Sequence, residues 1–140
     1  MKRIFLDANV LVSVLNKEYP LFSYSSRILG LAETKDVELF TSPVCLSIAF
    51  YFAEKKSGTK NALKKIHLLV SKINIADTDK KVVIMASQNK AIRDFEDGLE
   101  YYSAVNAGCE CLVTENTGDF YFSKIDVMRS QQFLEQFLLN

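Results

Sequence analysis

The sequence predicts an α/β domain built on a buried parallel sheet with helices over both faces, and three observations lead there. Short apolar runs such as "RIFLD" (3–7) and "ECLVT" (110–114) each stop at a polar break, the pattern of strands buried on both faces. Stretches with apolar residues at helical spacing lie between those runs, and strands alternating with helices build parallel sheets. No internal repeat and no Pro/Gly/Ser-rich linker divides the 140 residues. Residues 1–140 therefore read as one domain, long enough to bury a core without disulfide or metal staples.

Taken in order, "RIFLD" is the first strand and ends on Asp7. A helix is expected over about Leu21 to Thr34, then a strand at "VELFTS" (37–42). The next helix runs from Pro43 to Lys56, with proline suited to a first helical position and Ser42 as its N-cap. Helices over Thr59 to Ser71 and Asp79 to Lys90 flank the strand "INIAD" (73–77), with Thr78 or Asp79 as the cap of the second. The helix from Asp97 to Ala107 is closed by Gly108 and feeds "ECLVT". The tail "SQQFLEQFLLN" carries Phe133, Leu134, Phe137 and Leu138 at helical spacing and is expected to pack against the sheet.

Composition narrows the function classes. Apolar residues make up 49% and charged residues 24%, an ordinary globular balance that argues against disorder. Lys+Arg and Asp+Glu both number 17, so no global field draws the protein to a polyanion and any such site is local. The N-terminus turns acidic at Asp7 before an apolar stretch can qualify as a signal peptide, and "VCLSIAFYFA" is too short to span a bilayer. No membrane role and a cytoplasmic location are the expectation. Three cysteines without a C-x-x-C and a single His67 argue against zinc; His67 reads as a packed or half-exposed structural residue.

The run "RDFEDGLE" (93–100) places Asp94, Glu96, Asp97 and Glu100 within two helical turns. Acidic residues at a helix start complement its dipole by ~0.3–1 kcal/mol each, which is the plain reading. Ligands of open parallel sheets, however, bind at the carboxyl ends of the strands. Asp7 ends the first strand, Asp119 lies in the turn "TENTGDF" after "CLVT", and the start of the acidic helix lies on that same edge. Two carboxylates ~5 Å apart repel by about 3 kcal/mol at an effective dielectric of ~20, so such a cluster holds protons or a cation. With all-oxygen ligands and no nearby His or Cys expected, Mg²⁺ or Mn²⁺ is the matching ion, and phosphodiester hydrolysis the leading chemistry. A haloacid-dehalogenase-like phosphatase would need a second aspartate where Asn9 stands.

Together, "FLDANVLV", "DFEDGLEYYSA" and "LVTENTGDF" resemble the PIN domain over nearly the whole chain, in particular the toxin components of toxin–antitoxin systems akin to VapC-type toxins. The resemblance implies a three-layer α/β/α sandwich with a mainly parallel central sheet. It also implies a Mg²⁺- or Mn²⁺-dependent endoribonuclease that leaves a 5′-phosphate and a 3′-hydroxyl. RNA is then the substrate, an antitoxin protein the partner, and a homodimer a common state. Residue by residue, Asp7, Asp97 and Asp119 match the metal-binding acids, and Asn9, Thr114 and Asn116 match supporting polar positions.

The chain departs from the family pattern in three places. The glutamate of the helix after the second strand is absent; Ser47 or a neighbour stands there, and Glu54 lies ~10 Å further along a helix. Asp94 or Glu96 is the candidate replacement as fourth catalytic carboxylate. Ala8 replaces a hydroxyl residue, and Glu115 stands where arginine is common. A basic wall from Lys55, Lys56, Lys60, Lys64 and Lys65, or stacking by Tyr101, Tyr102, Phe120 and Tyr121, would serve RNA, although a solvated helix face and core packing account for them as well.

Overall fold

A computed structural model of the chain describes residues 1–139. Five strands, β1 (Lys2–Leu6), β2 (Val37–Thr41), β3 (Asn74–Ile75), β4 (Cys111–Val113) and β5 (Asp126–Met128), form one sheet in the order β3-β2-β1-β4-β5. Every pairing is parallel, with Ile4 facing Leu39 on one side and Cys111 on the other. The helices are α1 (Ala8–Leu15), α2 (Phe22–Gly30), α3 (Pro43–Ser57), α4 (Thr59–Val70), α5 (Lys80–Gln88), α6 (Phe95–Asn106) and α7 (Ser130–Leu139).

The layering follows from the crossovers. Strands β1, β2 and β3 step outward in one direction, and the chain then returns across the sheet to β4; right-handed crossovers place the intervening helices on opposite faces. Accordingly α1 packs on α2 and α3, α3 on α4 and α2 on α7, while α5 packs on α6. The result is the expected α/β/α sandwich around Ile4, Phe5, Leu39, Leu112 and Val113, all fully buried.

Most elements lie where the sequence places them, and the exceptions have local causes. Residues 8–15 form a helix the sequence reading left unassigned, because Asp7 caps it by accepting from the Ala8 N–H at 2.6 Å. The acidic helix begins two residues earlier than expected, since Asp94 Oδ1 accepts from the Glu96 N–H at 2.9 Å and so occupies the N-cap. Of the two candidate caps for α5, Asp79 takes the role, while the Thr78 hydroxyl pairs with Ser103. Strand β5 went unread because its three residues carry little pattern. The connection 89–94 back to the carboxyl edge is tethered by Asn89 to the Tyr102 hydroxyl and by Tyr121 to the Ala91 carbonyl.

Two expectations need correction. Phe133 and Leu134 are buried as expected, but Leu138 is exposed, since it lies on the outer face of α7; Asn140 lies outside the described residues. His67 is exposed on α4 and not packed. Cys109 precedes β4 and Cys111 opens it, and both are buried. Among the described residues no helix is long and apolar enough to cross a membrane.

Ser42 caps α3 by accepting from the Cys45 N–H at 3.2 Å, with Pro43 in the first turn as its geometry favours. Ser42 is fully buried, so Ser42→Ala leaves an amide without its partner. The expected result is a loss of about 1 kcal/mol, read as a lower urea midpoint at unchanged slope.

Candidate metal centre

Parallel pairing brings the ends of β1 and β4 side by side: the Asp7 N–H donates to the Val113 carbonyl at 3.0 Å, and Leu6 pairs with Val113. Asp7 and Thr114 therefore leave the sheet together. The Thr114 hydroxyl donates to Asp7 Oδ2 at 2.8 Å, and Asn9 Nδ2 donates to Thr114 Oγ1 at 3.1 Å and reaches Asp7 Oδ2 at 3.5 Å. Asn9 Oδ1 accepts from the Glu115 N–H, and Thr114 Oγ1 accepts from the Asn116 N–H. Asp7 is thus fixed by hydrogen bonds to both oxygens, in a nearly buried position.

Around Asp7 opens a cleft of about 490 Å³. Eight carboxylates line it, Asp7, Glu18, Asp94, Glu96, Asp97, Glu100, Glu115 and Asp119, and no lysine or arginine does. Its remaining wall is largely apolar, with Val12, Leu21, Ile48 and Phe52. Asp7, Asp94, Glu96, Asp97 and Asp119 thus line one cleft, as do Asn9 and Asn116. Neither ion pair among the described residues, Arg3–Glu38 or Lys72–Glu33, involves this cleft.

The electrostatic strain is large. Burial, then the charges of Asp94, Asp119, Asp7 and Glu96, push the Asp97 carboxyl up from its ordinary range to about 7. Glu96 is raised by burial, Asp94 and Asp7. Glu100, at 2% exposure, is pushed up to about 11 by burial first, then by the neighbouring Asp7 carboxylate, and by the charges of Asp97 and Glu96. Its Oε2 is buried without a hydrogen-bond partner, a costly state for an acceptor.

Glu100 is the residue the sequence reading left out of the site. Its signal was present, three residues after Asp97 and so on the same helix face. Asp94 and Glu96, the candidates for the fourth carboxylate, are exposed at the mouth of the cleft, whereas Glu100 sits at its floor. Helix α3 contributes no carboxylate here, but it does bring Cys45, whose Sγ–H points to Asp7 Oδ1 at 3.9 Å. The expected all-oxygen surroundings are therefore corrected: one atom each from Asp7, Cys45 and Glu100 lie within 4.8 Å of one another. Burial first, then Glu100 and Asp7, hold the Cys45 thiol well above its ordinary range.

Glu115, at the place of a common arginine, is turned to α7: its Oε2 accepts from the Ser130 N–H at 2.9 Å, complementing that helix start. The lysines 55, 56, 60, 64 and 65 do not line the cleft; Lys56 donates to the Asn16 carbonyl and Lys55 lies over Tyr51. Tyr101 and Phe120 are core residues, while Tyr121 is exposed beneath Arg93.

A divalent cation fits this donor set. It would complete the unpartnered Glu100 oxygen and offset the crowded charge, and Asp7, already oriented by Thr114 and the Ala8 amide, is a preformed ligand position.

The comparisons with known proteins agree with the fold. Ribonuclease VapC1 from Aquifex aeolicus is 27% identical, covering 96% of this chain and 95% of that protein. The crystal structure of DNA-bound VapBC from Salmonella typhimurium superposes with a TM-score of 0.71 at 20% identity, over 93% of this chain and 99% of that one. VapBC2 from Rickettsia felis, bound to a promoter DNA fragment, gives 0.70 at 21% identity, over 91% and 97% of the two chains. The family model of the PIN domain matches residues 3–118, and the chain belongs to the PIN-domain family.

Proposed function

We propose that this protein is a Mg²⁺- or Mn²⁺-dependent endoribonuclease and the toxin of a toxin–antitoxin pair. The observation that carries the reading is the cleft itself, where Asp7, Asp97, Asp119 and Glu100 converge with no cationic side chain to neutralise them. The relative named as a ribonuclease and the VapBC complexes support the substrate class and the antitoxin partner. A homodimer in the cytoplasm is the accompanying expectation.

In this reading Asp7, Asp97, Asp119 and Glu100 hold the cation, and Asp94 and Glu96 add negative charge at the cleft mouth. The bound ion supplies Lewis acidity for in-line displacement at phosphorus. Water adds to phosphorus as the P–O3′ bond breaks; the 3′-oxygen leaves with a proton, giving a 3′-hydroxyl and a 5′-phosphate. Thr114 and Asn9 hold the Asp7 carboxylate in one orientation, and Asn116, anchored through its N–H to Thr114, keeps the turn bearing Asp119 at the cleft.

A second reading, a module that binds RNA or a partner protein without cutting, is favoured by one observation: α3 presents Ile48 and Phe52 to the cleft and no acid. Incubation of a labelled RNA pool with the metal-free protein separates the two. Cutting is expected when a divalent cation such as Mg²⁺ or Mn²⁺ is supplied, to stop with EDTA and to return when the cation is restored in excess. Retention of RNA without cleavage under every metal would establish the second reading.

A further inference from the structure

We propose that Cys45 is a metal ligand, so that Asp7, Cys45 and Glu100 form a mixed oxygen–sulfur site taking thiophilic divalent cations, such as Co²⁺, Zn²⁺ or Cd²⁺, in preference to Mg²⁺. The inference rests on the reading of this cleft as a cation site and adds to it which ions the site selects.

Distance is the first argument. A thiolate sulfur at ~2.3 Å and a carboxylate oxygen at ~2.1 Å from a tetrahedral zinc lie about 3.6 Å apart. Cys45 Sγ and Asp7 Oδ1 already stand 3.9 Å apart, so a few tenths of an ångström close the pair. The third donor lies within 4.8 Å of both, a gap that rotation of a glutamate side chain can shorten.

The second argument is independent of the cysteine. Glu100 is almost completely buried and its Oε2 has no partner. A thiol that only packed as a small apolar group would leave that oxygen orphaned. A cation between the three side chains satisfies it.

Local structure holds the ligands in place. Cys45 is fully buried in the first turn of α3, where its own N–H is bound by Ser42. Asp7 is oriented from behind by Thr114 and the Ala8 amide, the outer-shell support that ligands require. Binding breaks the S–H bond and forms a metal–sulfur bond, and the proton leaves to solvent. Magnesium gains little from sulfur and stays with the carboxylates, whereas cobalt, zinc and cadmium gain much. Cys109 and Cys111 lie by the start of β4, at the opposite end of the sheet from the cleft, and serve as internal controls.

The test titrates the metal-free full chain with Co²⁺ and reads the near-ultraviolet thiolate-to-cobalt charge-transfer band, with calorimetry of Co²⁺, Mn²⁺ and Mg²⁺ binding alongside. The band is expected in the wild type, in Cys109→Ala and in Cys111→Ala, and is expected to vanish in Cys45→Ala with at least about a tenfold loss of Co²⁺ affinity. Cadmium NMR of the wild type reports sulfur ligation without any variant, so a misfolded Cys45→Ala leaves the test intact. Cobalt binding without the band, and a cadmium shift typical of oxygen ligands, would overturn Cys45 as a ligand and leave the nuclease reading standing. No binding of any of the three cations to the folded protein would overturn both.

Discussion

Asp7→Asn is expected to reduce metal-dependent RNA cleavage by about 10³-fold or more. A bound cation contributes several kcal/mol of transition-state charge stabilisation, and each ~1.4 kcal/mol is a factor of ten in rate. Asp7 is the most tightly held acid of the cleft: Thr114, Asn9 and Cys45 hydrogen-bond to it, and a Glu100 oxygen lies within 4.8 Å. Asparagine keeps an oxygen for the Ala8 amide and remains a good N-cap, so α1 and the fold should survive. The checking measurement pairs single-turnover cleavage with a thermal melt. Lost cleavage in a protein that melts no lower than wild type places the effect on the cation and not on folding. Unchanged cleavage would remove Asp7 from the machinery, and with it the proposed chemistry.

How far the sequence could be read depended on how local each signal was. Strands β1, β2 and β4 and the capped helix α3 were legible because a run of buried residues, or a Ser-Pro start, is complete within a few positions. Helix α1 was not: "ANVLVSVL" is rich in β-branched residues that read as strand, and only the Asp7 cap and the packing of α1 on α2 and α3 decide for helix. The edge strand β5, three residues long, owes its existence to β4 beside it.

The site divides in the same way. That Asp7, Asp97 and Asp119 line one cleft was legible because strand ends and helix starts must share one edge in a parallel sheet. Glu100 was named in the acidic run but not carried into the site; a lone buried glutamate contradicts the usual rule that charges stay wet or paired. That contradiction is itself the mark of a site, and it shows only once burial is known. Cys45 carried no sequence signal at all; its nearness to Asp7 arises from β1 and β2 lying adjacent, which sets the first turn of α3 beside the end of β1.

Glu100→Gln is expected to stabilise the metal-free protein at neutral pH while weakening its response to cations. The ordinary Glu100 carboxyl, near 4.5, is raised to about 11 in the fold, so between these values the unfolded chain loses a proton that the folded chain keeps. Stability from this group is therefore full below about pH 4.5 and falls as the pH rises, by ~1.4 kcal/mol per unit, reaching on the order of 3 kcal/mol at pH 7. Asp97, raised from 3.8 to about 7, acts with the same sign over that lower window. Glutamine has no proton to lose, so the difference between variant and wild type should grow steadily from about pH 5 to 9, less the smaller cost of burying an amide. Other acids contribute equally to both proteins and cancel. Adding Mn²⁺ at about 100 times its dissociation constant should raise wild-type stability by ~2.7 kcal/mol and the variant's by less, because the floor of the cleft has lost its charge. Urea unfolding across pH, with and without Mn²⁺, measures both effects. A wild-type curve parallel to the variant's would mean that Glu100 ionises freely in the folded protein, which its burial against Asp7 forbids unless a cation or water reaches it.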